Sequence, residues 1–180
     1  VNIFVLDRDP YIAAREMCDK HVVKMIVESA QMLSTCHRML DGTSERRDSV
    51  SGKRKVDYYK LDNWRESHLY KAVHFKHPCN IWLRESTANY NWLYNHFLGL
   101  LSEYRWRYDK DHACEKLVHA LSVTPTNLVD RPLTTFAQAM PDECKDTDIV
   151  QAYRKYYTKY KSEFATWKNR ATPIWFKTTS

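Results

Sequence analysis

Apolar residues begin to recur with a clear period just after a short turn at Asp7 to Pro10, and the spacing predicts a helix of about thirty residues. Ahead of the turn, Asn2 to Leu6 form a brief apolar segment. At about 100° per residue, Val22, Val23, Ile26, Val27, Ala30 and Leu33 fall on one arc, and His21, Lys24 and Glu28 gather on the other side. The period vanishes between Asp41 and Lys55, where polar residues and the cations Arg46, Arg47, Lys53, Arg54 and Lys55 predict a mobile basic loop over 41–56. Such a loop is suited to tracking phosphates, and equally to being a solvated surface segment.

Beyond a Tyr- and Trp-containing stretch, His77-Pro78 marks a break. Trp82, Ser86, Asn89, Leu93, Phe97, Leu100 and Tyr104 then recur at helical spacing and predict a core helix that continues through Arg105, Trp106 and Arg107. A shorter helix is expected near His112 to Leu121, followed by a Pro-containing connector from Thr124 to Pro132 and a segment from Phe136 that stops at Pro141. Asp146 or Thr147 is placed to cap a last long helix carrying Tyr153 to Lys161. The fold expected from this pattern is all-α: a single compact helical domain over 1–180 built round the long N-terminal helix.

Composition supports that picture and adds a partner. Three glycines in 180 residues leave little material for tight turns, and the length suits one domain with a sizeable core. A net charge of +6 combined with six Trp and twelve Tyr favours an anionic partner, with nucleic acid the first to consider, because bases stack on aromatic rings where cations hold the backbone. Positive charge and aromatic surface are densest in Arg154, Lys155, Lys159, Trp167, Lys168 and Arg170. Much of the aromatic content also suits a helical core.

The five cysteines form no C-x-x-C pair, and neither a cleavable signal nor a long apolar run is present, so a reduced, intracellular protein without a membrane span is expected. Cys18, His21, His77 and Cys79 together offer two nitrogen and two sulfur ligands, but the H-P-C spacing is not one that common structural zinc sites use, and no metal or other cofactor is assigned. The chain carries no P-loop, no G-x-G-x-x-G and no internal repeat. What remains is the shared face of His21, Lys24 and Glu28, with His21 and Glu28 two turns and roughly 10 Å apart. A base, a cation and a carboxylate so placed form an acid/base constellation; the same residues equally suit the wet side of an ordinary amphipathic helix.

The blocks CDKHVVKMIVESAQML, HPCNIWLRES with the following NYNWLY, FAQAMPDECK, YRKYY and TWKNRATPIWF together resemble a family of small phage-encoded proteins. The first third is similar to the phage pyrimidine-dimer DNA glycosylases of the endonuclease V type. In that family a short N-terminal segment leads to a central helix with D-x-H and a Glu seven residues after the His; Asp19, His21 and Glu28 match it, and Ile3 matches the family's N-terminal Ile. The alignment sets Val1 in place of the family's N-terminal Thr and Val27 in place of an Arg that lies near DNA. The interval from Val1 to His21 is longer than the family's, and the segment from Ile81 to Tyr108 is similar only in general pattern.

The resemblance implies a DNA glycosylase with associated abasic-site lyase activity on damaged or modified pyrimidines, working in the cytoplasm of an infected bacterium on DNA, duplex in the first instance. Its catalytic residues would be Val1, through the backbone α-amine, Glu28, as the carboxylate that stabilises the sugar cation and assists elimination, and His21, which orients or protonates neighbouring groups. An α-amine ordinarily titrates at about 7.7–8.0, so a useful fraction is neutral at cellular pH. The loss of the Thr side chain is tolerable in such a scheme, and Lys24 or another basic residue would have to take over the missing Arg contact. DNA-binding roles fall to Lys24, Arg84, Arg154, Lys155, Lys159, Trp167, Lys168 and Arg170. The alternative is a non-catalytic phage accessory protein that binds nucleic acid or a host protein through the same face.

Overall fold

In the computed structural model, which describes residues 1–176, the pattern that reads as one N-terminal helix forms two. Helix α1 (Pro10–Glu16) starts where Asp9 accepts hydrogen bonds from the Tyr11 and Ile12 amides and Pro10 supplies a preset φ. Met17 and Cys18 are extended, and α2 (Asp19–Asp41) then runs on alone. The break is held from a distance: the buried guanidinium of Arg107 donates to the Arg15 and Met17 carbonyls, and Trp167 donates its indole N–H to Glu16 O. The carbonyls that end α1 are thereby satisfied inside the protein.

The all-α expectation is corrected here. Thr43–Asp48 (β1) and Lys55–Lys60 (β2) pair antiparallel in register from Thr43↔Lys60 to Asp48↔Lys55, so the segment expected as a mobile loop over 41–56 is a β-hairpin and the fold is mixed. Its tip turns through Gly52 at φ 70°, and the Ser49 amide donates to Arg54 O. The strands escape an apolar-pattern reading because their cross-strand pairs are charged: Arg46 meets Asp57 at 2.8 Å and Lys55 meets Asp48 at 2.7 Å. The hairpin is tied to α2 by Arg38, a buried residue whose guanidinium donates to Tyr59 O, Leu69 O, Tyr70 O and the Glu66 carboxylate.

Helix α3 (Pro78–Leu83) and helix α4 (Thr87–Tyr108) divide what periodicity predicts as one core helix, with Ser86 Oγ capping α4 at the Asn89 amide. Helix α4 packs against both α1 and α2. At the α1–α4 crossing, a side chain on Gly99 would meet Ala14 Cβ at 3.0 Å, so glycine there permits the close approach. A short helix α5 (Val118–Leu121) and helix α6 (Ile149–Tyr160) complete the set; Asp148, not Asp146 or Thr147, caps α6, while Asp146 accepts from the Asp148 amide. Tyr153 and Tyr157 of α6 are buried against the N-terminal segment, and Trp167 and Phe176 fold back onto the core. No described helix is long and apolar enough to cross a membrane.

Candidate active site

The N-terminal segment is fixed along its length. The buried Asn2 side chain donates to Ala139 O and accepts from the Ile3 amide at 2.7 Å, stapling the segment to the connector before α6. Phe4 follows in a left-handed conformation at φ 57°, costly for a side chain of this size. It is held there by rings: His21 stacks on it at 4.4 Å between centroids, and Tyr153, Tyr156 and Tyr157 surround it.

This anchoring carries Val1 to α2. Its α-nitrogen lies 3.6 Å from Glu28 Oε2, and Lys24 Nζ lies 3.8 Å from Glu28 Oε1. Val1 and Glu28 are largely shielded, with side-chain exposures of 9% and 18%, while Lys24 is 63% exposed. The carboxylate therefore sits between an inner amine and an outer ammonium.

His21 is brought to the neighbourhood but not to the face expected of it. It is buried beneath Phe4, its Nδ1 is 2.5 Å from the Tyr157 hydroxyl, and burial, helped by Lys161, Lys24 and Lys20, pushes its pKa down to about 3. A neutral, enclosed imidazole positions the N-terminal segment rather than bordering an open pocket with Lys24. On the same helix Val23, expected in the apolar arc, is exposed.

A histidine weighed above only as a metal ligand feels the charges of the pair. His77 caps α3 by accepting from the Cys79 amide at 3.1 Å through Nδ1, which leaves the neutral ring's proton on Nε2. Burial lowers its pKa, the N-terminal ammonium and His74 lower it further, and Glu28 opposes them. The H-P-C sequence was the available signal: a His at the cap followed by Pro in the first turn. The turn leading to it is pinned, with His74 at φ 48°, its carbonyl accepting from the His77 amide and from Asn80 Nδ2, and Phe75 O accepting from Arg84 Nη2. Arg84, expected to touch DNA, thus clamps a backbone corner. Among the described residues no group of three or more His, Cys, Asp or Glu is placed to hold a metal ion, and all five cysteines are free and buried.

The remaining expected DNA contacts are mostly engaged within the protein. Lys155 pairs with Asp146 at 2.6 Å, Lys159 with Glu143 at 3.0 Å, and Arg170 with the buried Glu103 at 2.8 Å. Arg154 donates to Leu6 O and faces Asp7 and Glu16, Trp167 is buried, and the Lys168 ammonium lies over the Tyr108 ring. Partner carboxylates drawn from other segments thus offset the cationic density that the C-terminal sequence displays.

Comparison of the chain with protein-family models, with curated proteins and with solved structures finds no match.

Proposed function

We propose that the protein is a DNA glycosylase with associated abasic-site lyase activity, in which the α-amine of Val1 is the nucleophile and Glu28 the assisting carboxylate. The single observation that supports this reading is the 3.6 Å approach of the Val1 nitrogen to Glu28 Oε2 in a shielded setting. The scheme applies where Val1 is the mature N-terminus with a free amine.

In its neutral form the amine attacks C1′ of the target nucleotide; the C1′–N glycosidic bond breaks and its electron pair leaves with the base. The amine's proton passes to O4′ as the C1′–O4′ bond opens and the nitrogen lone pair forms the C=N bond, giving a protonated imine between Val1 and the ring-opened sugar. Glu28, whose charge favours the cationic sugar, then takes a proton from C2′, and the 3′ phosphate leaves by β-elimination. Water hydrolyses the imine and frees the enzyme. Lys24 stands on the solvent side of the carboxylate, where a phosphate would lie, and His21 keeps Phe4, and through it Val1, in place. Borohydride reduction during incubation with abasic, uracil-containing and ultraviolet-damaged duplexes tests the reading: a covalent protein–DNA adduct on at least one substrate is expected, and its absence on all of them contradicts it.

A further inference from the structure

The α6 cations Lys155 and Lys159 are paired with carboxylates, whereas among the described residues some cations elsewhere are not. Between the hairpin and the segment that follows it lies an open cleft of about 1080 Å³. Arg47, Lys53 and Arg54 of the hairpin line it, as do Tyr58 and Tyr59 and, from the segment that follows, Lys71. Among the described residues Lys53, Arg54 and Lys71 form no ion pair, whereas Lys155, Lys159 and Arg170 all do. The Arg47 guanidinium lies over the Tyr58 ring at 3.6 Å and pairs with Glu45, and Tyr58 donates to Glu66, which Arg38 also holds, so this wall is fixed before any ligand arrives. Asp48 and Asp57 also line the cleft, but each is paired to a strand cation, Lys55 and Arg46.

The cleft has an outlet. Its last lining residue, Val73, is followed directly by the pinned corner that ends at His77, whose imidazole feels the charges of the Val1 amine and Glu28. Four residues of chain span at most about 14 Å, the axial rise of about four duplex steps. We propose that this hairpin cleft binds the phosphodiester backbone of DNA and guides it toward the Val1–Glu28 pair. The destination rests on the glycosylase reading; the binding surface does not. Four cations around one open cleft, three of them without a carboxylate partner among the described residues and with tyrosines in the same lining, suit a continuous polyanion better than a single phosphate group.

The test is fluorescence anisotropy of a labelled duplex with the full chain across a salt series. The triple variant Lys53→Gln/Arg54→Gln/Lys71→Gln should lose affinity on the order of 100-fold at low salt, and its log–log salt slope should become shallower by about 2–3, one unit or slightly less per lost phosphate contact. Lys155→Gln/Lys159→Gln should bind as the unmodified protein does. Lys71→Glu alone, outside the hairpin, gives a second readout should the triple variant melt abnormally, and should also weaken binding. Unchanged affinity in the triple variant or in Lys71→Glu overturns the proposal, as do equal losses in the α6 control, no duplex binding by the unmodified protein at low salt, or equally tight binding of poly-glutamate. Specific loss at the cleft with no borohydride adduct on any substrate sustains the binding surface and removes the lyase reading instead.

Discussion

The Tyr157 hydroxyl, 2.5 Å from His21 Nδ1, also accepts from the Cys18 amide, so one side chain of α6 ties together the start of α2 and the imidazole under Phe4. Tyr157→Phe keeps the ring packing but strands the Cys18 N–H and the His21 nitrogen. It should cost about 1–3 kcal/mol and lower the melting temperature by several degrees, read by thermal denaturation followed at the helical circular-dichroism band. An unchanged melting temperature would show that this junction contributes nothing.

Acid should weaken the fold well before carboxylates titrate. Burial holds His21 neutral down to about 3 and His96 down to about 4, and burial with the neighbouring Arg65 holds His37 down to about 4. Their folded-state pKa values are depressed, so between about pH 6.5 and about pH 4 the unfolded chain binds protons that the folded chain refuses, and stability falls as pH falls. The slope approaches about 1.4 kcal/mol per pH unit for each imidazole. Urea titrations from about pH 7 to about pH 5 should show a steadily falling midpoint; a midpoint flat over this range contradicts the prediction.

Arg38 is the hairpin's tether. Arg38→Met would leave the Tyr59, Leu69 and Tyr70 carbonyls without this donor and the Glu66 carboxylate with Tyr58 alone, a loss of about 3 kcal/mol. Hydrogen exchange should then accelerate first at the amides of Lys55–Lys60. Protection equal to the unmodified protein's would mean the strands hold without the tether.

Local signals in the sequence were legible where local forces decide. The polar side of α2, with Lys24 outward and Glu28 between solvent and core, follows its period, as does the buried stripe of Leu93, Phe97 and Leu100 on α4. Long-range partners were not legible. The break at Met17–Cys18 depends on an arginine from α4, and His21 is buried because Phe4 and Tyr157 close over it. The hairpin lacks the apolar alternation by which a strand is read, and its charged pairs look the same as a solvated loop. The cations of α6 and beyond read as a binding surface because Glu143, Asp146 and Glu103, which neutralise them, come from other segments. The meeting of Val1 with Glu28 came from the resemblance, since no periodicity connects a terminal segment to one position on a helix.

The central claim concerns which atom attacks. Borohydride trapping on an abasic duplex, followed by proteolysis and mass spectrometry of the adduct, should place the reduced sugar on the α-nitrogen of Val1. Glu28→Gln should bind the same duplex normally yet form adduct on the order of 100-fold more slowly, because it keeps the shape and removes the charge. An adduct on a lysine side chain, undiminished trapping by a chain with a blocked N-terminus, or full activity in Glu28→Gln would contradict the account.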